Sequence, residues 1–387
     1  MSHLNLIHSY GFLGIRLFDL PSLLICLLTV IIFGYKFRVP LNYQLLLFTH
    51  CLLPFFLNDF LFSSSYMPDQ FKYWTAVNQI RSGEVSFFEA LSDSGNVLQA
   101  SAFLSVLPFP APFSVISLGF YNTFIYIVLF FVLYKKNIFT GFSIWFYLLF
   151  PSLALYTGLS LRDTLILFFM VLAIIYARES SILKSVISII PIYLIKFQNF
   201  YIVAPIVLIY FIFNVAKKGM GLTKALAIGM IGLGSLLLSA PLALPLVNKY
   251  RVSMFVEDGG DPSDVRLISG ISDFVFQGLT SGFYFLSKPL PWEAASALQF
   301  IQSFENLIVL GILFLITRQA WNKSPDRLAF WLLFLALSMS VYGLVVANYG
   351  TAVRYRYAFV VMYVLFVCAD CKVDKLFPNK RILFYRQ

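Results

Sequence analysis

Charged residues are scarce in this sequence: Asp, Glu, Lys and Arg make up 12% of its 387 positions, about half the share of an ordinary soluble domain. That excludes a soluble fold, because even large domains keep many side chains in water. Histidine is nearly missing, with only His3, His8 and His50. None of the three has the spacing of a zinc protease, and His50 lies within an apolar run, where a packed role fits best. There is no P-loop, no G-x-G-x-x-G after a strand and no G-x-S-x-G elbow, so nucleotide hydrolysis and elbow-type serine chemistry are excluded. Of the four cysteines, Cys26 and Cys51 fall in apolar segments. Cys368 and Cys371 form a lone C-x-x-C, with no second pair to complete a zinc site and no thioredoxin-like pattern around it. No metal and no cofactor is expected. A basic n-region and a small-residue cleavage site are also missing, so the apolar run 20–35 is read as a retained helix rather than a signal peptide.

What is abundant is apolar sequence. The chain is 60% hydrophobic and 18% aromatic, with 43 Phe and 22 Tyr, a composition suited to lipid-facing helices and headgroup belts. About 20 apolar residues cross a bilayer. The runs near 20–35, 43–62, 112–134, 138–158, 163–177, 183–197, 199–216, 225–247, 303–317, 327–347 and 355–370 therefore predict about eleven transmembrane helices. Pro191, Lys196 and Pro205 leave 183–216 open as two short helices or one kinked pair. The fold class expected is all-α, a polytopic integral membrane bundle forming a single domain over 1–387.

The formal charge of +10 would suggest nucleic acid for a soluble chain, but here its distribution reports orientation. Lys36/Arg38, Lys135/Lys136, Arg178/Lys184, Lys217/Lys218/Lys224, Arg318/Lys323/Arg327 and the tail from Lys372 alternate with acidic connections. One side collects 17 of the 28 basic residues and four of the 18 acidic ones. The positive-inside rule puts that side and the C-terminus in the cytoplasm, facing anionic lipid headgroups. No nucleic-acid partner is expected. Two outward connections are long, 63–111 and 248–302. The first predicts an amphipathic helix over 69–83, with Phe71, Trp74, Val77 and Ile80 near one face. The second opens on Glu257, Asp258, Asp261 and Asp264. That cluster lacks the order of an EF-hand and reads as a solvated acidic loop. Loops of this length with their own apolar pattern are usually functional.

Ionisable groups at membrane depth are costly and default to a functional reading. Arg162 and Asp163 sit at the outer junction of two apolar runs. Lys196 interrupts another, Arg354 and Arg356 open the last, and Arg251 and Arg266 flank the acidic stretch. A single such cation reads as a snorkelling residue, or as an ion-pair partner like Arg162 with its neighbour Asp163. The set Arg162, Lys196, Arg354 and Arg356 reads as a site for phosphate or carboxylate. Asp69 heads the amphipathic helix, four residues before Tyr73 on the same face. It reads either as a general base or as an N-cap after Pro68. Asp93, in a Ser-Asp-Ser-Gly turn, reads as structural.

The lines Phe150-Pro151-Ser152 … Leu161-Arg162-Asp163 and Asn348-Tyr349-Gly350-Thr351-Ala352-Val353-Arg354-Tyr355-Arg356, with the topology above, resemble bacterial O-antigen and related polysaccharide polymerases of the Wzy type. An arginine-to-glycine spacing found in some members is absent. The same lines are similar to the wider GT-C glycosyltransferases, in which an outer-loop Asp before an amphipathic helix is catalytic; Asp69 with Tyr73 and Ala76 would correspond. The resemblance implies a bacterial inner-membrane, GT-C-like enzyme with two enlarged periplasmic loops and a periplasmic active site. It would polymerise undecaprenyl-diphosphate-linked repeat units into O-antigen or capsule, beside a chain-length regulator and a flippase. Asp69 would be the base, and Arg162, Arg354, Lys196 and Arg356 would take the diphosphate. Arg251 and Arg266 would stand at the glycan entrance, with Tyr73, Trp74 and Trp292 near sugar rings. Two other readings stay open at this point: a GT-C transferase using a polyprenyl-monophosphate sugar donor, and a lipid-linked oligosaccharide flippase, which would place charges along a path through the midplane.

Overall fold

The computed structural model describes residues 16–63, 67–93, 95–215, 227, 244–256, 259–346 and 348–376. Among them the chain is all-helical, with no strand. The helices are α1 (Leu20–Lys36), α2 (Leu41–Leu57), α3 (Asp69–Ser82), α4 (Phe87–Ser92), α5 (Asn96–Ser105), α6 (Val115–Lys135), α7 (Ser143–Leu149) and α8 (Pro151–Gly158), followed by α9 (Asp163–Arg178), α10 (Ile182–Ile195), α11 (Phe197–Val215), α12 (Ile271–Ser287), α13 (Ala297–Lys323), α14 (Pro325–Gly343) and α15 (Tyr349–Asp370).

Four of these, α6, α13, α14 and α15, are long and apolar enough to cross a membrane. The pair α8 and α9 passes the same test together but is bent by 117°. Four more apolar stretches, α1, α2, α10 and Phe197–Phe211 of α11, run 10–17 residues. At 1.5 Å per residue, 17 residues cover about 26 Å, just short of a hydrocarbon layer of about 30 Å. The described residues are those of a helical membrane protein, with fewer full-length spans than the eleven expected. The run 225–247 lies largely outside the described residues, as do Glu257 and Asp258. The run 138–158 is not one helix. It breaks at Phe150, which sits at φ −71° and ψ 113° because the Pro151 ring disfavours helical geometry in the residue before it. The stretch 183–216 does form two helices, parted at the extended Lys196, while Pro191 and Pro205 lie inside them.

The chain divides into two compact units. The first comprises 1–137, 148–219 and 353–358. Its core is α6, almost wholly buried, with Phe120, Tyr121, Tyr126 and Phe130 fully enclosed. A Cβ on Gly119 would come 2.6 Å from the Gly158 carbonyl oxygen. The close approach of α6 and α8 therefore requires the small residue, as in other membrane helix contacts. At one end of this unit Lys136 pairs with Glu179 at 2.6 Å and the Lys135 ammonium lies over Phe37 at 5.8 Å. Three connections assigned to the basic side thus meet.

The second unit comprises 138–147, 220–352 and 359–387. Gly282 on α12 and Gly343 on α14 allow these helices to touch: a Cβ on Gly343 would fall 2.3 Å from the Ser281 carbonyl oxygen. Connections of the basic side converge here too. Arg327 donates to the Asp370 carbonyl at 2.8 Å, Lys323 to the Lys372 carbonyl at 2.7 Å, and the Gly141 N–H to Asp374 at 2.9 Å.

A buried ion triad as the candidate functional site

The site lies in the first unit and begins with a break in a helix. Between α8 and α9, residues 159–162 lie outside both helices, with Leu159 extended, and inside a membrane protein the freed backbone groups need partners. Asn122 on α6 donates to the Leu159 and Leu161 carbonyls at 2.6 and 2.5 Å. The Ser160 hydroxyl bonds the Val115 carbonyl, and the Ser160 N–H reaches the Gln70 side chain at 3.0 Å. The break presents Arg162 at the N-cap and Asp163 as the first residue of α9, where the positive end of the helix dipole favours a carboxylate.

Gln70 fixes α3 against that break. Its amide and that of Asn58 exchange two hydrogen bonds, at 2.9 and 3.0 Å, with both residues 1% exposed. The inward face of α3 is therefore Gln70, Tyr73, Ala76 and Val77, rotated from the face expected on Phe71, Trp74, Val77 and Ile80. The amide pair with Asn58 and the ion cluster favour this rotation, which also buries Tyr73, Ala76 and Val77. Trp74 instead donates to the Pro112 carbonyl at 2.9 Å.

Arg354 on α15 closes the site. Its Nε donates to Asp163 at 2.6 Å and its Nη1 to Asp69 at 3.0 Å. Asp69 also receives Lys72 at 3.1 Å. The arginine and Asp163 side chains are 9% and 6% exposed, while Asp69 is 39% exposed. Asp69 is the first residue of α3 and caps no N–H; Pro68 holds the N-cap position. Asp163 pairs not with Arg162 but with an arginine 191 residues away. The segment bearing Arg354 is anchored by Tyr357, which stacks on Tyr156 with ring centroids 5.2 Å apart.

Two further cations complete the cluster. The Lys196 ammonium stands 3.1 Å from the centroid of the Tyr355 ring, a cation–π contact in a desolvated setting. Arg162 makes a long bond of 3.3 Å to the Ile195 carbonyl, and its Nε is buried with no hydrogen-bond partner. Three basic side chains thus face two carboxylates. Burial pushes the Asp69 carboxyl up, but hydrogen bonds and attraction from Arg354 and Lys72 outweigh it and hold it below the ordinary aspartate range. Burial raises the phenol of Tyr73, which lies within electrostatic reach of Arg162, Asp163, Arg354 and Asp69.

Not every expected residue joins. Arg356 is buried, but two helical positions turn it about 200° from Arg354, so it does not share that face. Arg251 and Arg266 belong to the second unit. There Arg251 bonds Gln277 at 2.7 Å and Arg266 pairs with Asp273 at 3.2 Å. Tyr73 is 2% exposed, which leaves no ring face for a sugar, whereas Trp292 is 78% exposed. Asp93 accepts from the Gly95 N–H at 2.9 Å, as expected of a turn residue, and Asp261 likewise serves the Ser263 N–H at 2.8 Å.

Sequence reasoning missed Gln70, Asn58, Asn122 and Ser160, which hold the charged groups in place. A polar residue inside an apolar run, as Asn122 is, was their one visible signal. The chain matches no family model, no curated protein and no solved structure.

Proposed function

We propose that this chain is a membrane glycosyltransferase acting at the outer face of a bacterial inner membrane, where it joins polyprenyl-diphosphate-linked saccharide repeat units into a polymer. The observation that carries the reading is the meeting of Asp69, Asp163, Arg162, Lys196 and Arg354, drawn from four separate segments of the first unit. They meet at the end of α9 opposite to Lys136 and Glu179. Sixteen residues of α9 separate the two ends, about 24 Å. That separation is somewhat short of a hydrocarbon layer of about 30 Å, and it supports a reading with the cluster near one bilayer face and the basic loops at the other. Charges confined to one level favour transfer at a surface over a path through the midplane.

In this reading the anomeric carbon of the growing glycan exchanges its bond to the diphosphate oxygen for one to a hydroxyl of the incoming unit. The bonding pair leaves with the diphosphate, and the hydroxyl proton passes to Asp69. That carboxylate is held ionised by Arg354 and Lys72 and is partly exposed, so it is open to a bound hydroxyl. Charge grows on the leaving diphosphate, where Arg162, with its unpartnered Nε, and Lys196 supply stabilisation in a site of low polarity. Arg354, with its fork divided between two carboxylates, is a positioning residue that locks Asp69 and Asp163 in register.

The test uses a host in which this gene is deleted. Loss of the gene leaves single repeat units on the surface acceptor, and the intact gene restores the polymer ladder. Asp69→Asn fails to restore it, with transfer down 100-fold or more. A deletion strain with no surface repeat at all points to a flippase, and an unchanged ladder sinks the proposal.

A further inference from the structure

A second feature of the first unit lies directly beside Asp69 and has no part in the ion triad. Helices α3 and α5 flank a shallow, open groove of about 420 Å³, a volume within the range of small-ligand clefts. Phe71, Lys72, Thr75 and Gln79 form one wall, and Val97 with Leu98 forms the other. On α3 the spacing 71, 75, 79 is one stripe, on the side away from buried Tyr73 and Val77, and eight residues carry it about 12 Å along the helix. The groove starts at the carboxylate, because Lys72, which lines it, holds Asp69 at 3.1 Å.

The groove is built in advance of any ligand. At the far end of α3, Arg81 ties the wall to the end of α5 and the turn after it, donating to the carbonyls of Ser105 at 3.0 Å, Leu107 at 2.8 Å and Phe109 at 2.5 Å. Asn78 adds a bond to the Pro112 carbonyl at 3.1 Å. Walls held this way pay little ordering entropy on binding.

We infer that this groove is the subsite for the saccharide of the incoming repeat unit, with Phe71, Thr75 and Gln79 as its binding residues. A sugar ring offers apolar C–H faces and hydroxyl edges. Phe71, Val97 and Leu98 meet the first, while the Thr75 hydroxyl, the Gln79 amide and the Lys72 ammonium meet the second. Lys72, Thr75 and Gln79 set three polar side chains into a mostly apolar lining, the mixture that the edges and faces of a sugar present. The hydroxyl nearest the Lys72 end is thereby delivered to Asp69. This inference rests on the proposed transfer reaction and adds to it the place of the acceptor.

The experiment uses full-length protein in nanodiscs and the lipid-linked repeat unit that accumulates in the deletion host, with the free oligosaccharide released from it as competitor. Gln79→Ala and Thr75→Val each raise KM for the lipid-linked unit about tenfold and weaken inhibition by the free oligosaccharide by the same factor. That is the effect of one lost hydrogen bond. In both variants kcat stays within about twofold, a split that a general loss of fold would not give. If the wild type polymerises and both variants keep wild-type KM and inhibition, the subsite is wrong and the transfer reading survives. A KM rise in Val97→Ala and Leu98→Ala alone assigns the groove to lipid and also overturns it. If the wild type forms no polymer from its own lipid-linked unit, the transfer reading fails and this inference falls with it.

Discussion

Replacing Arg354 with methionine leaves Asp163 as an uncompensated charge in a dry site, and the cost can be worked from the geometry. The Arg354–Asp163 contact is short, at 2.6 Å, and both side chains are nearly enclosed, at 9% and 6% exposure. Removing one partner of such a buried pair costs about 3–5 kcal/mol. The contact to Asp69 adds little, since a carboxylate 39% exposed recovers much of its solvation and falls in the range of about 0–1 kcal/mol for screened pairs. The double variant Arg354→Met/Asp163→Leu removes both charges and fills the space with apolar atoms. It is expected to lie within about 1 kcal/mol of wild type, because a buried pair and a hydrophobic replacement are often near balance. Asp163→Leu alone strands Arg354 at a similar cost of about 3–5 kcal/mol, so the cycle gives a coupling energy of about 5–10 kcal/mol. Denaturant titration of the protein in bicelles, followed by tryptophan fluorescence, reads all four species. A single variant that loses under about 1 kcal/mol, or a double variant as unstable as the single, refutes the reasoning.

The pH dependence follows from Asp69. Its folded pKa lies below the unfolded value near about 3.9, so the contribution of its charge is complete above that value and fades as pH falls through the lower folded one. Lys72→Ala removes one of the two cations that lower it, so the acid limb of the rate profile moves up in pH; an acid limb that stays in place contradicts the assignment. Gln70→Leu leaves the buried Asn58 amide and the Ser160 N–H without their partner. It should cost about 1–3 kcal/mol in the same denaturation assay and lower transfer while leaving the Asp69 acid limb in place. A cost near zero removes Gln70 as the residue that sets the position of α3.

The membrane character, the helix at 69–82 and the choice of Asp69, Arg162, Asp163 and Arg354 as candidates were legible in the sequence, because each depends on local pattern: long apolar runs, one amphipathic period, and charges stranded among apolar neighbours. What was not legible depends on distant partners. Arg354 meets Asp69 across 285 positions and Asp163 across 191, so nothing in the local sequence says that Asp163 ignores its neighbour Arg162. The inward face of α3 was misread for the same reason. Gln70 is polar and scores as outward by periodicity, but a reciprocal amide pair with Asn58 makes its burial favourable. The break before Pro151 was available in principle, since the residue before a proline avoids helical geometry, yet the unbroken apolar composition of 138–158 outweighed it. Arg356 was grouped with Arg354 by adjacency, although two positions on a helix point to opposite faces.

The central claim is that the cluster of Asp69, Arg162 and Lys196 around the Arg354 fork performs glycosyl transfer. The most direct measurement is the length of surface glycan in the deletion host carrying Arg162→Ala, with protein abundance in the membrane matched to wild type. Among the described residues Arg162 pairs with no carboxylate and bonds only the Ile195 carbonyl, so its loss should spare the fold. The account predicts single repeat units in place of a ladder. A full ladder from Arg162→Ala at normal abundance would contradict it.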